Sequence, residues 1–146
     1  MEQHPKRQTE VKVQLFITHF ECSPDEITRI LGITPTATWL QGEPIPKSAG
    51  GVRKVNGWKL QSPTFPLGGP EEQTDALLNV ITPHAWRFKN LPGGSAIELS
   101  CAIYAYDDTH RVFEFSSDVV RRLAEIGMSI DVAYYAFTSC SEDATE

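Results

Sequence analysis

Few residues of this 146-residue sequence have the types and spacing that chemistry requires. His19 and Cys22 lie three positions apart, as metal ligands often do, with Glu21 between them. Zinc needs three or four ligands, and no second Cys or His pair follows at a matching spacing. We therefore predict no metal site, and interpret His19 as a surface residue and Cys22 as a small half-buried one.

The residues needed for nucleophilic catalysis are also missing or scattered. There is no Gly-x-Ser-x-Gly elbow, and the Gly-Gly pairs lack the lysine and following helix of a phosphate-binding loop. Asp107 and Asp108 fall in a predicted turn, where solvated acids are common. Cys101 falls on the apolar face of a predicted strand, which favours a core residue over a reactive thiol. We therefore expect a protein without catalytic residues or cofactor.

One group of residues has a composition that favours binding. Trp39 and Trp58 lie in two short predicted strands, and pairing of these strands would place an aromatic floor beneath basic and hydroxyl groups. Trp and Arg often contribute most of the energy at binding surfaces. The predicted ligand- or partner-binding residues are Thr34, Thr36, Trp39, Arg53, Trp58 and Lys59. The alternative is that both tryptophans cover the core, because large aromatic side chains are usually well buried.

Composition limits the classes of partner. The chain is 40% hydrophobic and 22% charged, as soluble globular domains are, and its length suits a single core. With 13 basic and 19 acidic residues the net charge is −6, so we predict no nucleic-acid partner. No run of 18 apolar residues and no apolar leader occurs, which predicts no membrane contact and no secretion. The three scattered cysteines favour a reducing, cytoplasmic location.

The first part of the chain predicts a strand, a helix and two short strands. Apolar and polar residues alternate over 10–20, with Val11, Val13, Leu15 and Ile17 on the buried face. The segment 23–26 carries the signals of a capped helix start, and Gly32 is suited to end that helix. Short strands over 36–41 and 57–61 enclose a long loop, predicted to be mobile, and together form an irregular hairpin.

The second part predicts three further helices and two strands. A helix covers 71–81, with Leu77, Leu78 and Ile81 inside, and a short helix carries Trp86 and Phe88 towards Leu91. The strand over 95–106 has the clearest alternation, and 111–115 is expected to be extended. The third helix, ended by Gly127, is expected to bury Val119, Val120, Leu123 and Ala124. The last strand, 129–137, is expected to bury Ile130, Val132 and Tyr134.

This order of elements predicts an α+β fold. We expect a two-layer sandwich in which a mixed, mostly antiparallel sheet has its helices packed on one face, in the order βαββαβαβ. The first six elements match the split βαββαβ pattern of a ferredoxin-like start. The predicted organisation is a flexible N-terminus (1–10), a single domain (11–138) and an acidic disordered tail (139–146).

Several motifs taken together resemble a widespread bacterial family, the domain-of-unknown-function family 4279. They are the helix start at 23–27, the segment 31–36, Trp39 with Gly42, Arg53 with the segment 57–60, and the last helix at 123–127. The resemblance covers roughly 11–135 and is looser at 131–134, where Ala133 interrupts the family's Asp-aliphatic-Tyr ending. It implies a small single-domain α+β protein and supplies no activity, cofactor or catalytic residue.

These observations leave two main functional hypotheses. The first is a non-catalytic cytoplasmic protein that binds another protein; one specific form is an immunity-type protein, whose acidity would attract a basic toxin. The alternative is a small-molecule-binding or hydrolytic domain with a pocket beside the Trp39/Trp58 hairpin. A third possibility, self-association through a strand, depends on whether 130–137 is an exposed sheet edge. The oligomeric state stays open.

Overall fold

The computed structural model describes residues 8–108 and 112–137. Its strands are β1 (Glu10–Thr18), β2 (Ala37–Trp39), β3 (Gly57–Gln61), β4 (Ala96–Ala105) and β5 (Ser129–Ala136). Its helices are α1 (Pro24–Leu31), α2 (Pro70–Ile81), a 3₁₀ helix (Thr82–Asn90) and α3 (Ser117–Ile126). The predicted acidic tail and most of the predicted flexible N-terminus lie outside the described residues.

The strands form one mixed sheet in the order β2-β3-β1-β4-β5. β1 is central and antiparallel to both β3 and β4, and β2 is antiparallel to β3. β5 returns through α3 and pairs parallel to β4, as a strand following a helical crossover does. The predicted α+β class is confirmed, and the first four strands have the split βαβ order.

The helices pack on one face of the sheet. Alternate residues of β1 point to this face and are buried in a cluster to which every helix contributes, since side chains alternate between the two faces of a strand. The cluster includes Val11, Val13, Leu15, Ile17, Ile27, Leu31, Leu77, Leu78, Ile81, Phe88, Leu99, Ile103, Val119 and Leu123. We call the opposite face, which presents Lys12, Gln14, Phe16 and Thr18 of β1, the open face.

Local signals define both ends of α1 and α3. The Ser23 hydroxyl accepts a hydrogen bond from the Glu26 N–H, and Ser116 caps α3 through the Val119 N–H in the same way. Gly32 ends α1 at φ 70° and Gly127 ends α3 at φ 79°, in the left-handed region that glycine adopts readily. The predicted start of α1 and the ends of both helices are therefore confirmed.

The side chain of a buried glutamine bonds the backbone of β1 beyond the end of β3. β3 ends opposite Gln14, so the Val13 N–H and the Val11 carbonyl have no strand partner on that side, although the Ser62 N–H still donates to the Val13 carbonyl at 2.9 Å. The Gln73 amide of α2 takes this place: its Oε1 accepts from the Val13 N–H at 3.0 Å and its Nε2 donates to the Val11 carbonyl at 2.7 Å. Gln73 is wholly buried, and its own carbonyl accepts from the Ser62 hydroxyl at 2.7 Å. A single side chain thus joins α2 to the central strand.

Two predictions of burial are wrong. Ile130, Val132 and Tyr134 are 44%, 52% and 50% exposed, because β5 is the edge strand while α1 and α2 lie against β3 and β1. Alternation shows which side a residue points to, but not whether another layer covers it. On α3, Val120 and Ala124 are exposed as well, because each follows a core-facing residue and is rotated about 100° from it around the helix axis.

We expect replacement of Gln73 by leucine to lower the free energy of unfolding by about 2–4 kcal/mol. The Q73L variant leaves the Val13 N–H and the Val11 carbonyl buried without partners, and each such group typically costs about 1–3 kcal/mol. Chemical denaturation checks this. The matched control is Q14L, which we expect to change stability by less than about 1 kcal/mol, because the buried Gln14 Nε2 has no hydrogen-bond partner. Equal losses in both variants would contradict the role given to Gln73.

Candidate functional site

The strand register separates the two predicted binding tryptophans. Trp39 lies opposite Gly57, and Lys59 lies opposite both Ala37 of β2 and Phe16 of β1. Since neighbouring residues in a strand point to opposite faces, Trp39 and Lys59 lie on the open face and Trp58 lies on the helix face. The predicted aromatic floor therefore contains only one of the two tryptophans.

Trp58 is a core residue. Its side chain is fully buried, and its Nε1–H donates to the Thr28 hydroxyl of α1 at 3.0 Å. This hydrogen bond satisfies the one polar group of the indole, as buried tryptophans usually require. Trp58 holds α1 against β3 and contributes no side-chain surface to the open face. It is one of the six predicted binding residues, and its position is that of a core residue.

Trp39 lies flat on a glycine. A Cβ added to Gly57 would fall within 2.4 Å of three atoms of the Trp39 ring, so only a glycine permits this close approach. Across the sheet the Phe16 ring lies at a centroid distance of 6.1 Å and an angle of 58° to the indole. Gly57 and Phe16 therefore fix the half-buried indole on the open face.

Arg53 covers the outer face of the indole. Its Cζ lies 4.2 Å from the Trp39 ring centroid, which is a cation–π contact. The backbone of Arg53 is held by Glu43, whose carbonyl accepts from the Arg53 N–H, and by Gly42, whose N–H donates to the Arg53 carbonyl, both at 2.8 Å. The segment predicted as a long loop thus folds into a hydrogen-bonded hairpin that returns Arg53 to Trp39.

Asn56, which is not among the predicted residues, anchors this hairpin. The Asn56 Oδ1 accepts from the Gln41 N–H at 2.8 Å, and its Nδ2 donates to the Phe20 and Cys22 carbonyls at 3.2 Å. One amide therefore joins the segment after β2 to the segment after β1. No local sequence pattern marks these bonds, because their partners lie 15 to 36 positions away.

The two predicted threonines have different environments. The Thr36 hydroxyl accepts from the Gln61 N–H at 2.8 Å, and the Thr36 N–H donates to the Lys59 carbonyl at 2.7 Å. These bonds extend the β2–β3 pairing, so Thr36 positions the hairpin. Thr34 is exposed and precedes β2.

The open face carries a local positive charge. Lys59 has a pKa below its ordinary value, because it is partly buried and because Lys12 and Arg53 lie close enough to repel its charged form. The Lys12 ammonium lies 5.5 Å from the centre of the Phe65 ring. Among the described residues, no ion pair joins any of these three cations to a carboxylate. We call Phe16, Trp39, Arg53, Gly57 and Lys59 the Trp39 site.

A cavity of about 630 Å³ adjoins the Trp39 site. The residues that line it include Phe16, Thr18, His19, Glu98, Ser100 and Ser129. His19 has a φ of 63°, which is strained for a residue other than glycine, and its Nδ1 lies 2.9 Å from the Thr18 hydroxyl oxygen. Neither Trp39 nor Trp58 lines this cavity, so it is not the pocket predicted beside the tryptophan hairpin.

The cysteines and histidines form no metal centre in the described ranges, where no group of three or more possible ligands occurs. Burial raises the pKa of the Cys101 thiol to about 11. A thiol with so high a pKa is almost entirely protonated at neutral pH and is a poor nucleophile. Over the same ranges, no helix has both the length and the apolar character that crossing a membrane requires.

Fold and site together define a class: a two-layer α+β protein whose sheet leaves one face open and carries an arginine-capped tryptophan on that face. The family model described as Domain of unknown function (DUF4279) matches residues 9–137. The chain belongs to this family, which confirms the resemblance carried by the helix and Gly-Trp motifs. No curated protein and no solved structure matches the chain.

We expect a G57A substitution to displace the Trp39 ring and to break its contact with Arg53, lowering the free energy of unfolding by about 1–3 kcal/mol. In a nitrogen–proton correlation spectrum, the indole N–H signal of Trp39 should shift while that of Trp58 stays in place. The control is G93A, because a Cβ at Gly93 would meet nothing within 4 Å. An unchanged Trp39 signal in the G57A variant would show that the indole does not lie on Gly57.

Proposed function

We propose that this protein is a non-catalytic binding protein that recognises an acidic segment of another protein at the Trp39 site. The observation that supports this most directly is the Arg53 guanidinium lying over the half-buried Trp39 ring. Arg53 and Lys12 are both close enough to Lys59 to repel its charge, and among the described residues no ion pair joins these cations to a carboxylate. Stacked Arg and Trp side chains are typical of the residues that dominate binding energy.

Electrostatics favours an acidic ligand at this site. Burial is the main cause of the lowered pKa of Lys59, and repulsion from Lys12 and Arg53 adds to it. A carboxylate bound beside Lys59 relieves this repulsion, so binding and protonation of Lys59 support each other. The backbone hydrogen bonds of Arg53 and its contact with the indole already position the guanidinium before a ligand binds. Less conformational entropy is therefore lost on binding. A planar, bidentate carboxylate contact to Arg53 follows from this geometry.

The local charge also bears on the kind of partner. The chain as a whole has a net charge of −6, which would attract a basic toxin, whereas the Trp39 site would attract an acidic segment. We therefore propose a protein partner without specifying toxin neutralisation. The free thiols of Cys22 and Cys101 support a reducing, cytoplasmic setting for this interaction.

Peptide display tests this proposal. Random peptides are selected on the immobilised protein and counter-selected on the R53E variant. We expect the enriched peptides to be rich in Asp and Glu with an apolar residue nearby, and their dissociation constants to rise at least about tenfold in R53A, the loss of roughly 1.4 kcal/mol expected for a main contact. Binding should also weaken with added salt.

The matched control is R29A, which removes an exposed arginine of α1 that is paired with Glu26. We expect this variant to bind the selected peptides as the wild-type protein does. Enrichment of neutral or basic peptides, or equal affinity for the wild-type and R53A proteins, would contradict the proposal. Circular dichroism of each variant checks that any loss of peptide binding is not caused by unfolding.

A second candidate function, binding of a small polar molecule, is favoured by the cavity beside Phe16. Its volume of about 630 Å³ falls in the range of ligand sites, and Glu98 provides a charged group among hydroxyl groups. The strained backbone of His19 at its rim is also a feature found at ligand sites. This composition suits an amine or a polyol.

Thermal-shift measurements with a panel of amines and sugars test this candidate. We expect at least one compound to raise the melting temperature by several degrees at saturating concentration, since ligand binding stabilises the folded state, and this shift should disappear in E98Q. The S95A variant, altered at the edge of the same cavity, controls for general destabilisation. No shift with any compound of the panel would remove this candidate.

A further inference from the structure

β5 has no strand on its outer side within residues 8–108 and 112–137. It closes one side of the sheet, while the opposite edge is the three-residue strand β2. Natural edge strands are protected from pairing by short length, by lysine or proline, or by bulges. β5 has eight residues, SIDVAYYA, with no lysine or proline and with Asp131 as its only charge. This edge has few of the features that keep edge strands apart.

Apolar side chains flank this edge on both faces of the sheet. The exposed ones are Ile130, Val132 and Tyr134 on the helix face, with Tyr135 and Phe137 on the open face, and their exposed fractions run from 44% to 52%. The Tyr135 ring stacks on Tyr104 at 5.2 Å and 11°, and Phe137 stacks on Tyr106 at 5.2 Å and 18°. These stacked pairs extend an apolar surface across β4 to the edge.

We propose that β5 is a self-association edge, on which a second copy of this chain pairs its own β5 in the antiparallel direction. The two-fold axis passes through Ala133, which then faces Ala133 of the second copy. A perpendicular two-fold axis keeps the helix layers of both copies on the same side, so the sheet continues from one copy into the other. The interface is isologous and closed, as most dimer interfaces are.

The sequence of β5 is complementary to itself in this register. Val132 lies opposite Tyr134 of the second copy, and the reverse pair forms symmetrically, giving two aromatic–β-branched pairs of the favourable kind. Asp131 lies opposite Tyr135 of the second copy. The two Asp131 carboxylates are then four residues apart along the strands, or about 13 Å, so they do not meet. A register centred on Asp131 would place like charges directly opposite each other, which is destabilising.

The area available suits a weak, reversible dimer. Covering the whole exposed part of the five half-exposed side chains, roughly 100 Å² each, would bury at most about 500 Å² per copy and about 1,000 Å² in total, which is the lower limit for a specific interface. Backbone hydrogen bonds along the paired edges add to this. Since each copy carries a net charge of −6, long-range repulsion opposes association, and salt should strengthen the dimer by screening it.

Sedimentation velocity of the full chain from micromolar to millimolar concentration tests this proposal. We expect a monomer–dimer equilibrium that shifts towards dimer with added salt, and at least about a tenfold weaker dimer in the V132K variant, because lysine on an edge strand opposes pairing. The matched control is V120K on α3, since Val120 is 53% exposed and Val132 is 52% exposed. This control should dimerise as the wild-type chain does.

A cross-linking measurement fixes the register and does not depend on weakening the dimer. In a chain carrying C22S and C140S, the A133C substitution should form an intermolecular disulfide under mild oxidation. Directly opposed residues of an antiparallel pair have Cα atoms about 4.5–5.5 Å apart, within the range that a disulfide spans. The V120C variant in the same background should remain unlinked.

Three outcomes would overturn the proposal. They are a monomer at every concentration, a dimer that V132K leaves unchanged, or cross-linking of V120C as efficient as that of A133C. Amide hydrogen exchange of β5 is a third measurement. Protection that rises with protein concentration supports a second copy, whereas protection independent of concentration means that the chain's own residues cover the edge and would also overturn the proposal. The R53A variant should dimerise normally, so this proposal and the proposed function fail separately.

Discussion

The placement of α2 against the central strand depends on the side chain of Gln73. β3 is too short to pair the whole of β1, and the remaining backbone groups of β1 are buried where water cannot satisfy them. Because an unpaired buried N–H or carbonyl is costly, the chain must supply a partner there. The Gln73 amide offers one acceptor and one donor at the spacing of a strand, and so continues the sheet from a helix. These two hydrogen bonds fix the position of α2 along β1 and its rotation about its own axis. α2 in turn contributes Leu77, Leu78 and Ile81 to the core.

The position of the helices also determines which surfaces are left for binding. All described helices contribute to the core cluster on one face, so the open face carries no helix among the described residues, and the side chains of β5 on the helix face stay exposed. The open face brings Arg53 onto the Trp39 indole and places Lys12 and Arg53 near enough to Lys59 to repel its charge, although the chain as a whole is acidic. The exposed edge gathers apolar side chains from a strand that looks, in sequence, like a core strand. The two surfaces differ in chemistry because one is a face of the sheet and the other is its edge.

Much of the fold could be predicted because its signals are local. Each serine cap and each glycine end of α1 and α3 bonds a backbone group three or four residues away, and the alternation of β1 and β4 marks their buried faces directly. Predictions failed where the outcome depended on distant parts of the chain. The hypothesis of one aromatic floor places Trp39 and Trp58 on the same surface, whereas the β2–β3 register and the burial of Trp58 agree, for that residue, with the alternative of a core tryptophan. Asn56 carries no local signal at all, since its partners belong to segments far along the chain.

The element types, the α+β class and the direction in which most side chains point follow from the sequence, because hydrogen-bond periodicity and capping are properties of neighbouring residues. Which of those directions leads to a covered layer depends on the packing of distant segments. Ile130 and Val132 point the same way as Leu99 and Cys101, yet they are exposed because the helices of the described residues pack on β1 and β3 rather than on β5. Likewise, Arg53 meets Trp39 only through a hairpin closed by Glu43 and Gly42. Whether another layer covers a side chain, and whether two distant side chains meet, depends on how the whole chain packs. A local residue pattern does not encode either.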